Sequence, residues 1–276
     1  MRNRKWCNSF PRYLPADWQS RAIFRKEMKE LEIIDFLLWV AFPYIALTIF
    51  IVGHIYRYNK DQFGWSAQSS QFLQNDRMLR WGSILFHVGV IFVFFGHVAG
   101  VVVPQTVYPL IGVTEEMYHF GAVWFGGAAG LVMVIGGALL TIRRLESKRV
   151  HRKGTRKDLY ILLLIGVVTV IGFTNTAWYT ATGGDFDYRD TIGPWFRGIL
   201  TFRPMPEMVA TAPWGFQAHI LSAFILFAVW PFTRLVHVWS LPLEYIKRRY
   251  IIYRAANPAK YKRAAQMQMG KRKDVE

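Results

Sequence analysis

The sequence contains a single cysteine, Cys7, among its 276 residues. One cysteine cannot form an intramolecular disulfide, cannot supply the CxxCH pair that attaches haem covalently, and cannot hold an iron–sulfur cluster, which requires several thiolates. Any redox cofactor must therefore be held by other side chains.

Acidic residues are also scarce. The chain has 18 Asp and Glu against 34 Lys and Arg, a net charge of +16, yet 53% of its residues are hydrophobic. Apolar and basic residues must therefore be segregated, as in a membrane protein with basic loops. The positive charge is accounted for by loop topology and by attraction to anionic lipid, so it does not indicate nucleic acid as a partner.

Long apolar runs are abundant. Crossing about 30 Å of hydrocarbon takes about 20 apolar residues, and only helices or closed barrels satisfy their backbone in lipid. Five runs reach this length, near residues 33–56, 82–103, 119–142, 159–179 and 216–240, which we call spans 1 to 5. The sequence predicts an all-α fold, a polytopic bundle of five transmembrane helices over residues 33–241, followed by a basic cytoplasmic tail over residues 242–276.

Lysine and arginine are concentrated in the loops after spans 1 and 3 and in the tail after span 5, whereas residues 104–118 contain none. The positive-inside rule then places the C-terminus in the cytoplasm and the N-terminus outside the cell membrane. The basic segment 1–32 conflicts with this orientation. Either Met28 is the true start, or the segment lies on the membrane surface.

Four of the seven histidines lie in two spans: His87 and His97 in span 2, and His219 and His237 in span 5. The two spans run in opposite directions, so His87 matches His237 in depth toward the cytoplasm and His97 matches His219 toward the exterior. Titratable groups inside a membrane are functional by default. Paired neutral imidazoles are common axial ligands of haem iron and leave no open position on the metal, which suits electron transfer.

The helical angle is a second test. At about 100° per residue, 18 residues place His219 and His237 on one face of span 5, whereas ten residues put His97 roughly 80° from His87. Pro231 is expected to kink span 5 between its histidines and to disturb this count. A proton or metal pathway would be the alternative, but the middles of spans 2 to 5 contain no Asp or Glu.

Small residues suggest room for a cofactor. Span 2 carries Gly82, Gly89 and Gly96 at seven-residue spacing, and Gly96 adjoins His97. We interpret this stripe as clearance for a macrocycle. The many glycines of span 3 are interpreted as helix packing, for which small residues are the usual device.

Four stretches together resemble the gamma subunit of membrane-bound respiratory nitrate reductase: PYIALTIFIVGHIYRYNKDQFGWSAQSSQ, FHVGVIFVFFGHVAG, FDYRDTIGPWFR and WPFTRLVHVWSLPLEYI. The resemblance runs from about Leu37 to Tyr253. It implies a membrane cytochrome b with two non-covalent b haems, His87 with His237 holding the inner one and His97 with His219 the outer one. It also implies quinol as substrate and two cytoplasmic partners, an iron–sulfur (beta) subunit and a molybdenum-cofactor (alpha) subunit that reduces nitrate to nitrite.

At the expected quinol site the sequence departs from the family pattern. The family tends to carry a basic residue just before span 3, but VTEEMYHF has no lysine, and His119 is the remaining donor and proton acceptor there, with Glu115 or Glu116 to take the proton onward. An interfacial histidine without a role is the competing interpretation. Arg57 and Arg234 are placed by depth to meet propionates of the inner haem, or simply extend to the lipid headgroups.

Two other functions remain open at this point. The chain could be a di-haem, quinol-oxidising subunit of another membrane reductase, or, if it binds no haem, a non-redox transporter.

Overall fold

The computed structural model describes residues 32–61, 65, 76–146, 156–180, 182 and 186–240. Within these residues the chain is helical and has no strand. Residues 1–31 of the predicted N-terminal extension, the whole predicted cytoplasmic tail and His151 in the basic loop after span 3 lie outside the described residues.

Five helices are long and apolar enough to cross a membrane, which confirms the predicted class. They are Glu32–Lys60, Arg77–Val102, Glu115–Glu146, Lys157–Trp178 and Trp214–Phe232, and we keep the names spans 1 to 5 for them. Large apolar side chains point outward along them, among them Ile51, Phe92 and Phe95. This is the expected surface for helices surrounded by lipid.

Residues 103–114 join spans 2 and 3, and we call the end of the bundle where they lie the outer-loop end. Each of spans 1 to 4 contains one wide π-helical turn near this end, at Leu37–Ala41, Val98–Val102, Ala122–Gly126 and Thr176–Thr180. Such turns are rare and occur often at functional sites.

Glycines bring spans 2 and 3 into close contact. A Cβ at Gly89 would lie 2.6 Å from the backbone nitrogen of Met133, and one at Gly136 would lie 2.3 Å from that of Phe86. Only glycine allows two helix backbones to approach so closely. The interpretation of the span 3 glycines as helix-packing residues is therefore confirmed for Gly136.

A buried core covers the outer-loop end. The loop between spans 4 and 5 forms the helices Ile192–Leu200 and Pro206–Ala210, whose apolar faces pack against spans 1 and 5. Trp195 donates from its indole nitrogen to the carbonyl of Trp39 at 2.9 Å, so a fully buried aromatic side chain also satisfies its one polar atom.

Span 5 is not one continuous helix. Its α-helix runs from Trp214 to Val229, a 3-10 turn follows at Trp230–Phe232, and Thr233 is extended. Proline lacks the N–H that would continue the helix and clashes with the preceding turn, so Pro231 ends it rather than merely kinking it. The assumption that one continuous helix carries both His219 and His237 is therefore wrong.

The chain divides into two compact units, Met1–Val236 and His237–Glu276. All five spans belong to the first. Of the second unit, the structure describes His237–Ser240, the end of a 3-10 helix that begins at Arg234.

Candidate functional site

His97 and His219 come together near the outer-loop end of the bundle. The centres of their rings lie 6.0 Å apart and the ring planes make an angle of 30°. Two metal–imidazole bonds of about 2 Å, each extended by roughly 1 Å to the ring centre, would give a separation of about 6 Å. This pair therefore has the spacing of two imidazoles on opposite sides of one metal ion.

Backbone carbonyls fix the orientation of both rings. His97 Nδ1 lies 2.7 Å from the carbonyl oxygen of Val93, and His219 Nδ1 lies 3.1 Å from that of Val168. A carbonyl can only accept, so each Nδ1 carries the proton and Nε2 keeps its lone pair. This is the arrangement that usually orients a metal-binding histidine and raises its basicity.

Span 4 holds the His219 ring from behind. Gly172 lies so near that a Cβ there would be 2.7 Å from His219 Cε1, and Val168 provides the carbonyl. The histidine pattern of spans 2 and 5 gave no indication of this role for span 4. Two neutral imidazoles are a donor set that would fit a haem iron.

His87 has the same local arrangement. It is exposed on span 2, and its Nδ1 lies 2.7 Å from the carbonyl oxygen of Ser83, one turn earlier. His237 belongs to the second unit, which is described separately, so the pairing of His87 with His237 stays a prediction. Among the described residues, no three His, Cys, Asp or Glu side chains converge to hold a metal ion.

The glycine stripe of span 2 has two different surroundings. Gly82 faces Leu139 and Leu140 of span 3, and Gly89 faces the backbone of Met133. For these two glycines the prediction of cofactor clearance is wrong, because the space that they leave is filled by the neighbouring helix. At Gly96 no atom lies within 4 Å of where a Cβ would be, so clearance beside His97 stays a prediction there.

Arg57 and Arg234 have protein partners in the structure. Arg57 donates to the carbonyls of Pro231 and Thr233 at 2.7 and 2.5 Å, at the break in the helix of span 5. Arg234 pairs with Asp158 of span 4 at 2.9 Å. Both contacts explain the arginines without a cofactor, so their contact with haem propionates remains only a prediction.

His119 is exposed in the first helical segment of span 3, one turn after Glu115. Glu115 itself accepts from Arg189 at 2.7 Å. The structure thus places the predicted quinol residue at the outer-loop end, on a different span from the His97 and His219 pair.

A polar network that sequence reasoning missed lies beside His119. Arg189 pairs with Asp187 at 2.7 Å as well as with Glu115, and its guanidinium lies 4.3 Å from the ring centre of Tyr118. Tyr118 and Tyr188 share a hydrogen bond of 3.1 Å. The FDYRD motif was the available signal, but its partners lie about 70 residues earlier.

The electrostatics of this network favour the ionised arginine. Burial lowers the pKa of Arg189, but the hydrogen bonds and charges of Asp187 and Glu115 outweigh it, and the net pKa is raised. Burial raises the pKa of the Tyr188 phenol, which therefore stays protonated. The network links the loop between spans 4 and 5 to the first helical segment of span 3, which carries His119.

Comparisons with known proteins agree with this architecture. Residues 35–256 match the family described as nitrate reductase gamma subunit. The nitrate reductase gamma chain of Bacillus subtilis (strain 168) is 46% identical over 218 residues, covering 79% of this chain and 97% of that protein. The respiratory nitrate reductase 2 gamma chain of Escherichia coli (strain K12) is 35% identical over 215 residues, covering 78% and 94%. The chain belongs to the nitrate reductase gamma subunit family.

Proposed function

We propose that this chain is the quinol-oxidising cytochrome b subunit of a respiratory nitrate reductase. It binds two non-covalent b haems, the outer one between His97 and His219 and the inner one between His87 and His237. The observation that carries the proposal is the outer pair: two rings 6.0 Å apart, each with Nδ1 engaged by a backbone carbonyl.

In this proposal the residues of the chain hold the haems and fix the orientation of their ligands. When bound, each haem supplies a one-electron ferric–ferrous couple. Each histidine pair would hold one haem through two imidazole nitrogens, which would leave oxygen or substrate no coordination site on the iron. The carbonyls of Val93 and Val168 hold the rings in the required tautomer, and the low polarity of the spans excludes water from the pair.

Quinol oxidation is assigned to the outer-loop end. Each quinol gives up two electrons and two protons and leaves as quinone. In this proposal His119 accepts a proton from the quinol hydroxyl, and exposed Glu116 passes it to the exterior, since Glu115 is held by Arg189. The electrons leave toward the inner side.

The partners follow from the orientation. With the C-terminus in the cytoplasm and the N-terminus outside, the inner pair faces the basic loops, where an iron–sulfur subunit can dock. That subunit would pass electrons to a molybdenum-cofactor subunit, which reduces nitrate. Copurification of the complex from membranes tests this arrangement, and a reductase partner for another substrate would replace nitrate in the proposal.

The histidine assignment is tested with the assembled complex. Reduced-minus-oxidised spectra should show two b haems per chain. His97→Ala and His219→Ala should each lose the same haem, and His87→Ala and His237→Ala the other, because an axial ligand is removed in each case. His151→Gln is the control, because the sequence places His151 in the basic loop between spans 3 and 4, outside the predicted spans. A haem-free wild-type chain, or the same haem lost from both sets, would refute the assignment.

The His119 assignment needs a separate variant. His119→Ala should keep both haems, but the rate of haem reduction by quinol should fall by about a hundredfold or more, the lower end of what a positioned acid–base group contributes. Dithionite should still reduce both haems fully. Unchanged reduction by quinol would discard His119 as the proton acceptor.

A further inference from the structure

The outer end of span 2 is held by an arginine from a distant part of the chain. His97 is followed directly by the π turn Val98–Val102, at which the helix ends. The last four carbonyls of a helix have no partner within it and accept from side chains, from water or from other segments. Arg197, in the loop between spans 4 and 5, donates from Nη1 to one of them, the carbonyl of Val101, at 2.8 Å.

The surroundings of Arg197 fix its guanidinium in this place. Arg197 belongs to the helix Ile192–Leu200, which Trp195 anchors in the buried core. Gly193 lies one turn before it, and a Cβ there would be 3.0 Å from Arg197 Nη1 and 3.6 Å from the carbonyl oxygen of Val101. The guanidinium therefore lies over the bare backbone at Gly193, against the end of span 2.

No carboxylate neutralises this charge. Within the part of the chain that the structure describes, Arg197 forms an ion pair with no Asp or Glu. The carbonyl of Val101 is an acceptor without net charge. A guanidinium stays ionised in proteins, and a partly buried one is screened less by salt than an exposed one. A full positive charge is thus fixed at the end of the helix that carries His97.

The charge lies within electrostatic range of an iron bound by His97. Val101 is four residues after His97, about 6 Å along the helix. With the hydrogen bond to Arg197 and the sideways reach of a ligating imidazole, the distance from guanidinium to iron is about 10 to 15 Å. Coulomb's law with an effective dielectric constant of about 20 then gives an effect of about tenfold on a one-electron equilibrium.

We propose that Arg197 sets the potential of the outer haem, because its fixed positive charge favours the ferrous form. This rests on the proposed function, in which His97 and His219 hold that haem. Reduction adds one electron to ferric iron and removes one positive charge from the haem, so the nearby cation repels the reduced form less. A higher potential favours the first electron transfer, from quinol to the outer haem.

The other arginines of the loop between spans 4 and 5 are placed differently. The loop contains Arg189, Arg197 and Arg203. Arg189 is paired with Asp187 and Glu115, so carboxylates offset its charge. Arg203 is exposed, so water and ions screen it. Arg197 therefore combines a fixed position beside span 2 with a charge that no neighbouring carboxylate cancels.

The measurement is a redox titration of the assembled complex in membranes, with the outer haem identified as the one lost in His97→Ala. In Arg197→Gln, the ferric-to-ferrous equilibrium of the outer haem should shift about tenfold, and at least threefold, toward the ferric form. Arg197→Lys keeps the charge and should stay within about twofold of the wild type. The inner haem is farther from the charge and should change less than the outer one.

Arg203→Gln is the matched control, because it removes an exposed arginine from the same loop. It should leave the potentials of both haems unchanged. If it shifts the outer haem as much as Arg197→Gln does, the general surface charge is the cause and the proposal is overturned.

Arg197→His supplies a second measurement in case Arg197→Gln loses the outer haem. Its imidazole, with an ordinary pKa of about 6.5, is charged at pH 5 and neutral at pH 8. Between these pH values the outer haem equilibrium of the variant should shift about tenfold more than that of the wild type. An equal pH dependence in the two proteins would overturn the proposal.

The remaining outcomes are also decisive. If the outer haem keeps the wild-type potential in Arg197→Gln, or shifts equally in Arg197→Gln and Arg197→Lys, the charge does not set the potential. Loss of the outer haem from all three Arg197 variants would show that Arg197 serves the fold of the site, which also overturns the proposal. Absence of the outer haem from the wild-type complex would instead refute the proposed function.

Discussion

At the scale of single residues, Arg189 concentrates several interactions in one side chain. It contacts Asp187, Glu115 and the ring of Tyr118. A guanidinium can donate to two carboxylates in fixed directions while its plane faces an aromatic ring, and a lysine ammonium cannot do all three. This explains why an arginine stands at the centre of the FDYRD motif.

Asp76 has two separable roles at the start of span 2. Its carboxylate accepts from the backbone N–H of Leu79 at 3.0 Å, which caps the helix, and from Arg143 of span 3 at 2.7 Å. The hydrogen bond from Arg143, followed by that from Leu79, lowers the pKa of Asp76 below its usual value of 3.8. The folded state therefore favours the ionised carboxylate.

Asp76→Asn should isolate the ion pair, because asparagine caps a helix as well as aspartate does. We expect the variant to be less stable by up to about 1 kcal/mol at neutral pH, as for a partly exposed pair. A lowered pKa adds stability above the unfolded-state value, and that stability is lost as the pH falls through the folded-state pKa. In detergent, the wild type should therefore unfold at a higher temperature than Asp76→Asn at pH 7, and this difference should disappear below pH 3.8.

Asp76→Ala is the comparison for this test, since it removes the cap as well. It should lower the free energy of unfolding by about 1 kcal/mol more than Asp76→Asn does. This additional loss, which comes from the missing cap, should persist at low pH. A gap between wild type and Asp76→Asn that does not depend on pH would contradict the role of the charge.

At the scale of elements, spans 2 and 3 pack closely at glycines whose neighbours in the sequence have room for a side chain. A Cβ at Gly136 would meet the backbone nitrogen of Phe86 at 2.3 Å, whereas one at Gly137 would lie 3.7 Å from the Phe86 ring, an ordinary contact. The two positions are adjacent and differ only in what faces them.

Gly136→Ala should therefore separate the two helices and destabilise the bundle by about 1 to 3 kcal/mol, as overpacking does. Gly137→Ala should be neutral or slightly stabilising, because alanine favours helix by about 1 kcal/mol over glycine. Thermal unfolding of both variants in the same detergent makes the comparison. Equal effects would show that helix propensity, and not the close approach, decides the result.

At the scale of the whole molecule, Arg57 connects span 1 to the broken end of span 5. Arg57 is a charged donor to the carbonyls of Pro231 and Thr233, at the end of the α-helix of span 5. Pro231 is itself fully buried. One side chain thus compensates for the helix break and holds the first and last spans together.

Arg57→Gln should lower the stability of the bundle by about 2 to 3 kcal/mol, the cost of losing charged hydrogen bonds to partly buried carbonyls. Arg80→Gln is the control, because Arg80 is an exposed arginine near the start of span 2. Chemical unfolding of the two variants should differ accordingly. If both have the same small effect, Arg57 contributes only as a surface charge.

The sequence predicted the parts of this molecule that depend on local composition. The five spans follow from runs of apolar residues, and the meeting of His97 with His219 followed from their depth. The effect of Pro231 was underestimated, because counting helical turns from His219 to His237 assumed one continuous helix. The roles of Gly89, Arg57 and Arg189 depend on partners far away in the chain, which no local pattern reveals.

The four π-helical turns have a consequence for register. A π turn takes up about one residue more than an α turn, so residues on its two sides are offset by about 100° from the regular count. In span 3, the turn Ala122–Gly126 separates His119 from the glycines that pack against span 2. Deleting one residue within that turn would restore a regular α-helix and rotate His119 by about 100° around the axis of span 3, relative to the glycines. The π turns thus set the direction of the outer side chains independently of the packed interior.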